Sequence, residues 1–285
     1  MMTIFFDGVA FGMLLFLISV GLSVTLGLMN FINLAHGAFA MLGGYACVVL
    51  LNRYGVPFLL TLPVAIIVPA LAGILLEKTL YRRLYSASEL DQVLFSIGLV
   101  FMAVASAHYF FGAQQQPLHL PAFLQGQIHL PGMDVGVYRL FLIIVGLIVA
   151  FGLQWSVIKT PFGAKLRASV DNQKVARGLG IDVNRVFSLT FALGSALAGL
   201  GGAMGVEMLG LDPEFPVKYL VYFLIVVTVG GSGNILGSLY AAILLGVADV
   251  AGKYYIPQIG AFIIYAVMVA ALIFRPHGLF GRSHN

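Results

Sequence analysis

Charge is the scarcest property of this chain. Asp, Glu, Lys and Arg make up 9% of its 285 residues, against ~25% in soluble domains. So few charges cannot clothe a domain of this size in water, which excludes a soluble globular protein. Cysteine is almost absent: Cys47 is alone, in an apolar run, so an intrachain disulfide and a thiolate metal cluster are excluded. His119 and His129 stand at no metal-ligand spacing, and no metal is assigned. There is no G-x-x-x-x-G-K-[ST] stretch to cradle a nucleotide. There is no Ser/His/Asp or Cys/His arrangement, and no carboxylate pair within an apolar run. A membrane enzyme is therefore not expected and no catalytic residue is assigned. No Lys or Arg precedes Asp7, so the first apolar run is read as a full span and not as a cleaved signal.

What is present is apolar. Hydrophobic residues make up 60% of the chain and mean hydropathy is +1.01. A span needs ~20 apolar residues to cross ~30 Å of hydrocarbon. Runs suited to this cover 9–28, 57–76, 93–111, 139–158, 186–206 and 258–274. Shorter runs cover 38–51, 219–229 and 235–251. The expected fold is an all-α polytopic membrane protein, one domain over 1–285. It has eight or nine membrane segments, depending on how two interrupted ones are counted. The polar loop 112–138 holds an alternating stretch around a Pro-Gly turn at 127–137, so a small hairpin is expected there.

The fifteen basic residues are sorted by side. With the tail, the 159–185 segment and the 77–92 loop on one face, that face holds eleven: Lys78, Arg82, Arg83, Lys159, Lys165, Arg167, Lys174, Arg177, Arg185, Arg275 and Arg282. The other holds four: Arg53, Arg139, Lys218 and Lys253. The richer face is expected to be cytoplasmic, with the C-terminus on it. The net charge of +4 thus reflects topology and not a nucleic-acid partner.

Two polar interruptions, at 30–37 (NFINLAHG) and 230–234 (GGSGN), fall at corresponding places near the two ends of the chain. Non-helical backbone at membrane depth survives only where protein buries it or a wet cavity flanks it. Paired breaks point to a translocation pathway near the midplane. The candidate pathway residues are Asn30, Asn33, His36, Ser232 and Asn234, whose neutral polar groups suit a zwitterionic or neutral solute. Taken singly, Asn30 and Asn33 read equally well as helix caps. Gly194, Ala198 and Gly202, with Ser195, Gly199 and Ala203, repeat at four and predict close helix packing. Glu207 and Asp249 fall near span ends and are read as solvated at the interface.

The 159–185 segment, KTPFGAKLRASVDNQKVARGLGIDVNR, is the long polar stretch between two spans. Thr160-Pro161 predicts a helix start. Phe162, Leu166 and Val170 share one face at helical spacing. Asp171 is expected to cap a second short turn, and Gly178 and Gly180 to end it. Asp182 or Asn184 caps the span that follows. Anionic lipid would explain the charges. The small residues Gly163, Ala164 and Ala168 suit a tight protein groove instead.

This segment resembles the cytoplasmic coupling loop of permeases from ABC importers of the branched-chain amino acid family. GLSVTLGLMNFINLAHGAFAMLGGY resembles that family's N-terminal signature, ILLEKTLYRRL its first cytoplasmic loop, and GGSGNILGSLYAAILLG with FRPHGLFGR its C-terminal pattern. The chain departs from the pattern at Arg83, where such permeases often carry proline, and at Asn234-Ile235. Length and start match the shorter, LivH-like permease of the pair. The resemblance implies an ATP-driven importer subunit forming half of a pathway for branched-chain or related small amino acids. The family also includes permeases for urea, short amides and aromatic acids. It implies a second similar permease (LivM-like), two ATP-binding subunits that hold ATP and Mg, and a periplasmic solute-binding protein, all in a bacterial inner membrane. No cofactor is implied in this chain. The residues assigned to ATPase coupling are Phe162, Gly163, Ala164, Leu166, Ala168, Val170, Arg177 and Gly180. The competing class, a secondary transporter working alone, would need an ionisable residue deep in a span and leaves 159–185 without a purpose.

Overall fold

The computed structural model describes residues 1–29, 31–85, 87–130, 133–275 and 278–279. Its helices in chain order are α1 (Met2–Met29), α2 (His36–Tyr54), α3 (Phe58–Thr79), α4 (Glu89–Phe111), α5 (Val137–Lys159), α6 (Pro161–Asp171), α7 (Gln173–Gly178), α8 (Val183–Leu209), α9 (Phe215–Gly230), α10 (Ile235–Tyr255) and α11 (Gly260–Phe274). Six of these are long and apolar enough to cross a membrane: α1, α3, α4, α5, α8 and α10. The apolar α9 and α11 have 16 and 15 residues. At ~1.5 Å per residue they fall short of a ~30 Å hydrocarbon layer, which is why the composition of the chain alone does not settle how many segments cross.

The expected hairpin is present in the 112–138 loop. Strands β1 (Gln127–Leu130) and β2 (Met133–Gly136) pair antiparallel, with Ile128 opposite Val135. The Pro131-Gly132 turn assigned to it lies outside the described residues. The loop is fastened to the body by Gln116 N donating to Leu211 O at 2.8 Å and by Asn52 Nδ2 donating to Pro117 O at 2.9 Å.

The body is built around α1 and α8, both mostly buried. The small-residue stripe of α8 explains how. A β-carbon on Gly199 would overlap the Ala65 carbonyl of α3, and one on Gly202 the Ala40 carbonyl of α2. One on Gly201 would sit 2.7 Å from Ile18 N of α1. Three neighbours thus lie backbone-to-backbone on one helix, the packing that small residues permit in lipid. The stripe is buried inside this chain and is not a surface for a second subunit. The α1–α10 pair repeats the device: a β-carbon on Gly12 would meet Ala242 O and Ile243 Cα at 2.7 Å.

α1 begins at Met2, not at residue 9, because Asp7 is not a solvated residue ahead of the span. It pairs with Arg139 in the first turn of α5. Asp249 also departs from the expectation of interfacial solvation. It is 1% exposed, inside α10, and accepts from Lys253 Nζ at 2.6 Å one turn on. Glu207 is exposed in the last turn of α8, as expected.

The helices alternate in direction. α3 runs against α8, with Gly73 beside Ser195 and Pro69 beside Gly199. This puts the α3–α4 turn and α6–α7 at one end of the bundle, and the 112–136 loop and the α8–α9 turn at the other. Single cysteines at Ser88 and Lys174 should therefore react with an impermeant maleimide from one side of the membrane, and those at Gln115 and Glu214 from the opposite side. Cys47 is buried and should stay silent. Labelling of Lys174 and Glu214 positions from the same side of sealed vesicles would refute the arrangement.

Candidate functional site

The stretch 31–35 between α1 and α2 is non-helical. Its polar groups are met by side chains from elsewhere. Ile32 N donates to Gln92 Oε1 at 3.2 Å. Asn33 Oδ1 accepts from Ala35 N at 3.1 Å and from Tyr81 O–H at 3.0 Å. His36, the first residue of α2, donates from Nε2 to Ile18 O at 2.7 Å. Ile18 lies near the middle of α1, so α2 starts at mid-height of the bundle and not at its end. His36 is 1% exposed, and its ring meets Phe223 edge-on with centroids 6.3 Å apart. Asn30 lies outside the described residues.

The second interruption, Gly231 to Asn234, turns through Gly231 (φ 88°) and Gly233 (φ 78°), a conformation that glycine adopts without strain. Asn234 caps α10, its Oδ1 accepting from Gly237 N at 2.9 Å. Ser232 is exposed. Gly233 N donates to Ser23 O at 3.1 Å, and a β-carbon on Gly27 would overlap the Gly233 backbone. Ser238 Oγ donates to Ser23 Oγ at 2.9 Å. The second interruption thus packs on the last third of α1, while the start of α2 is bonded to its middle.

Asn33 and His36 are buried and bonded, and do not face an open space. The open space is beside them: a cavity of about 550 Å³ between α2, α3 and α4. Its wall is almost wholly apolar. Ala35, Phe39, Leu76 and Tyr81 form the end nearest the interruption. Tyr45 lines it further out, stacked on Phe111 with centroids 4.0 Å apart. Its hydroxyl is buried with no hydrogen-bond partner among the described residues. Sequence reasoning looked for polar lining residues and so passed over this cavity, and over Tyr81 and Gln92. The signal that could have found them is polarity just beyond a span end, in YRRLYSASELDQ.

The 159–185 segment is the helix pair α6–α7. Thr160 Oγ1 accepts from Gly163 N at 3.2 Å, with Pro161 opening the helix. The cap of α7 is Asn172, not Asp171: its Oδ1 accepts from Lys174 N and Val175 N at 3.1 Å. α6 runs one residue further than expected and takes Asp171 as its last. Asp182 caps α8 through Arg185 N at 3.0 Å. Leu166 is 0% exposed, and a β-carbon on Gly163 would overlap Val157 O at the end of α5. The smallness of Gly163 therefore serves this chain's own α5–α6 corner. Phe162 and Ala168 are half-buried, while Ala164, Val170, Arg177 and Gly180 are exposed. Val175 and Leu179 are apolar yet exposed, Leu179 at 75%.

Membrane-length helices packed on a small-residue core, with cavity and interruptions inside the bundle, are the architecture of a multi-pass membrane protein. The family model described as branched-chain amino acid transport system / permease component matches residues 4–272. The chain belongs to that permease family. It is 26% identical over 289 residues to the high-affinity branched-chain amino acid transport system permease protein BraD of Pseudomonas aeruginosa, covering 97% of this chain and 94% of the relative. It is 28% identical to the probable branched-chain amino acid transport permease protein LivH of Methanocaldococcus jannaschii, covering 94% of this chain and 89% of the relative. LivM of Escherichia coli is 25% identical over 94% of this chain and 68% of its own length. No solved structure matches the chain.

Asn33→Leu should destabilise the protein more than Asn234→Leu. The first leaves the wholly buried Tyr81 hydroxyl without its acceptor, a cost of ~1–3 kcal/mol. The second removes a cap worth ~1 kcal/mol. Thermal unfolding of the purified variants in detergent reads the order, and the reverse order would refute this assignment.

Proposed function

We propose that the chain is the transmembrane permease subunit of an ATP-driven ABC importer and forms half of the pathway for branched-chain or related small amino acids. It works with a second similar permease of the LivM type, two ATP-binding subunits that carry ATP and Mg, and a periplasmic solute-binding protein. It lies in a bacterial inner membrane with α6–α7 and the C-terminus on the cytoplasmic side. Eleven of fifteen basic residues on that side support the orientation. The interruptions at 31–35 and 231–234 are the inner ends of two broken membrane segments beside the pathway.

The observation that carries the reading is the outward face of α6–α7. Val170, Val175 and Leu179 are exposed there, among Lys165, Arg167, Lys174 and Arg177. An apolar row in a basic helix pair at a bundle end is a surface for a protein groove. A lipid-held amphipathic helix would also bury an apolar row; what lipid does not require is the small residues beside it. Ala164 and Ala168 extend the same surface, while Gly163 and Leu166 support it from beneath.

Ala168→Arg keeps a good helix former and adds positive charge. A lipid-held helix would tolerate it. A docked helix would have to fit a long cation into a packed groove, at ~1–3 kcal/mol for overpacking before the charge is desolvated. Ala168→Arg and Leu179→Arg should each insert normally and lose ATPase co-purification or solute-stimulated ATP turnover. Wild-type co-purification and turnover in both would sink the coupling assignment.

A further inference from the structure

Glu77 lies in the last turn of α3 and is wholly buried. Its carboxylate gathers donors from two directions. Arg82 donates from Nη2 to Oε2 at 3.2 Å and from Nε to Oε1 at 3.4 Å. Tyr85 O–H donates to Oε1 at 2.9 Å. Ser188 Oγ donates to Oε2, and Arg82 Nη2 also donates to Ser188 Oγ at 3.0 Å. Arg82 and Tyr85 belong to the turn between α3 and α4. Ser188 belongs to the second turn of α8, whose first turn follows α6–α7 directly. One buried carboxylate therefore fastens the α3–α4 turn to the helix that the 159–185 segment leads into.

The same turn holds the interruption on its other side. Tyr81 is fully buried, donates to Asn33 Oδ1 and closes one end of the cavity. Gln92 donates from Nε2 to Leu84 O at 3.2 Å and to Ala87 O at 3.4 Å, and accepts from Ile32 N. Residues 31–35 have no helical ladder of their own. Their position is therefore set by what Tyr81 and Gln92 present. A buried carboxylate that lost its donors would be left as an uncompensated charge, so Glu77, Arg82, Tyr85 and Ser188 move together or not at all. The contacts form a contiguous path from α8 to the end of the cavity.

We propose that Glu77 is a positioning residue that carries displacement of the 159–185 segment, through Ser188, to residues 31–35 and to Tyr81 at the end of the cavity. The proposal rests on the reading of α6–α7 as the ATPase coupling element. A path of contacts demonstrates coupling only when breaking it changes the response at the far end.

The test uses the complete importer reconstituted in liposomes with its binding protein, with leucine as the probe. Ser188→Ala removes the α8 side of the cluster and leaves Arg82 and Tyr85 on Glu77. The complex should assemble and melt as the wild type does, yet hydrolyse roughly twofold to thirtyfold more ATP per leucine imported, the range spanned by mutations that modulate coupling. Ser188→Thr keeps the hydroxyl and should restore the ratio. Tyr81→Phe cuts the far end of the path and should raise the ratio as Ser188→Ala does. It stands in for Ser188→Ala if that variant does not assemble. A wild-type ratio in an assembled Ser188→Ala complex, or in Tyr81→Phe, would overturn the proposal, as would a fall in stability with uptake and hydrolysis reduced in proportion. If Ala168→Arg and Leu179→Arg still bind and drive the ATPase, the coupling reading itself fails. If they uncouple while Ser188→Ala and Tyr81→Phe do not, only the Glu77 path fails.

Discussion

Backbone without a helix inside a membrane bundle must find partners for every buried N–H and C=O. In residues 31–35, Ile32 N is met by Gln92 from the first turn of α4, and Ala35 N by the side chain of Asn33. Tyr81, from the turn after α3, holds that side chain, and the ring of His36 at the start of α2 bonds Ile18 O of mid-α1. The interruption is therefore not a free loop. Its place fixes where α2 starts, and α2 supplies one wall of the cavity. The hydrogen bonds that make it tolerable in the bundle are the same ones that tie it to the bundle's basic end.

The frame around it is held by a different force. Between helices in lipid the hydrophobic effect contributes little, and close van der Waals packing takes over. Gly199, Gly201 and Gly202 bring α3, α1 and α2 against α8, and Gly12 brings α10 against α1. A larger residue at Gly199 or Gly202 would push directly on a neighbour's carbonyl, which cannot give way as a flexible side chain can. The core is thus defined by missing side chains more than by large ones.

Much of this architecture was legible in the sequence because it is local. Span positions follow from runs of apolar residues, the hairpin from alternation, and the start of α6 from Thr160-Pro161. The four-residue repeat of small residues in α8 announced close packing, and the structure names the partners. What was not legible depends on pairings between residues, near or far, and on choices between neighbouring caps. Met2 begins α1 because Asp7 is paired with Arg139. Asp249 is buried because α10 continues past residue 251 to bring Lys253 within reach. Asn172 displaces Asp171 as a cap because adjacent residues compete and local pattern cannot rank them. Asn33 and His36 stand out in the sequence as polar residues of the first interruption, but that they are buried and bonded beside an apolar cavity required the fold.

The cavity also shows which part of the chain is least self-sufficient. Its outer wall is α4, a helix mostly exposed within this chain, with Leu94, Phe101, Met102 and Phe110 uncovered. α8, by contrast, is mostly buried. Few buried contacts mean that a segment's position is set by its surroundings more than by its own chain. α4 is nevertheless anchored at both ends: Gln92 at its first turn holds Ile32, and His108 at its last bonds Glu214 at 3.2 Å. The outer wall of the cavity is thus bonded to its own chain at both ends, and its anchor at the basic end, Gln92, holds the interruption that α2 starts from.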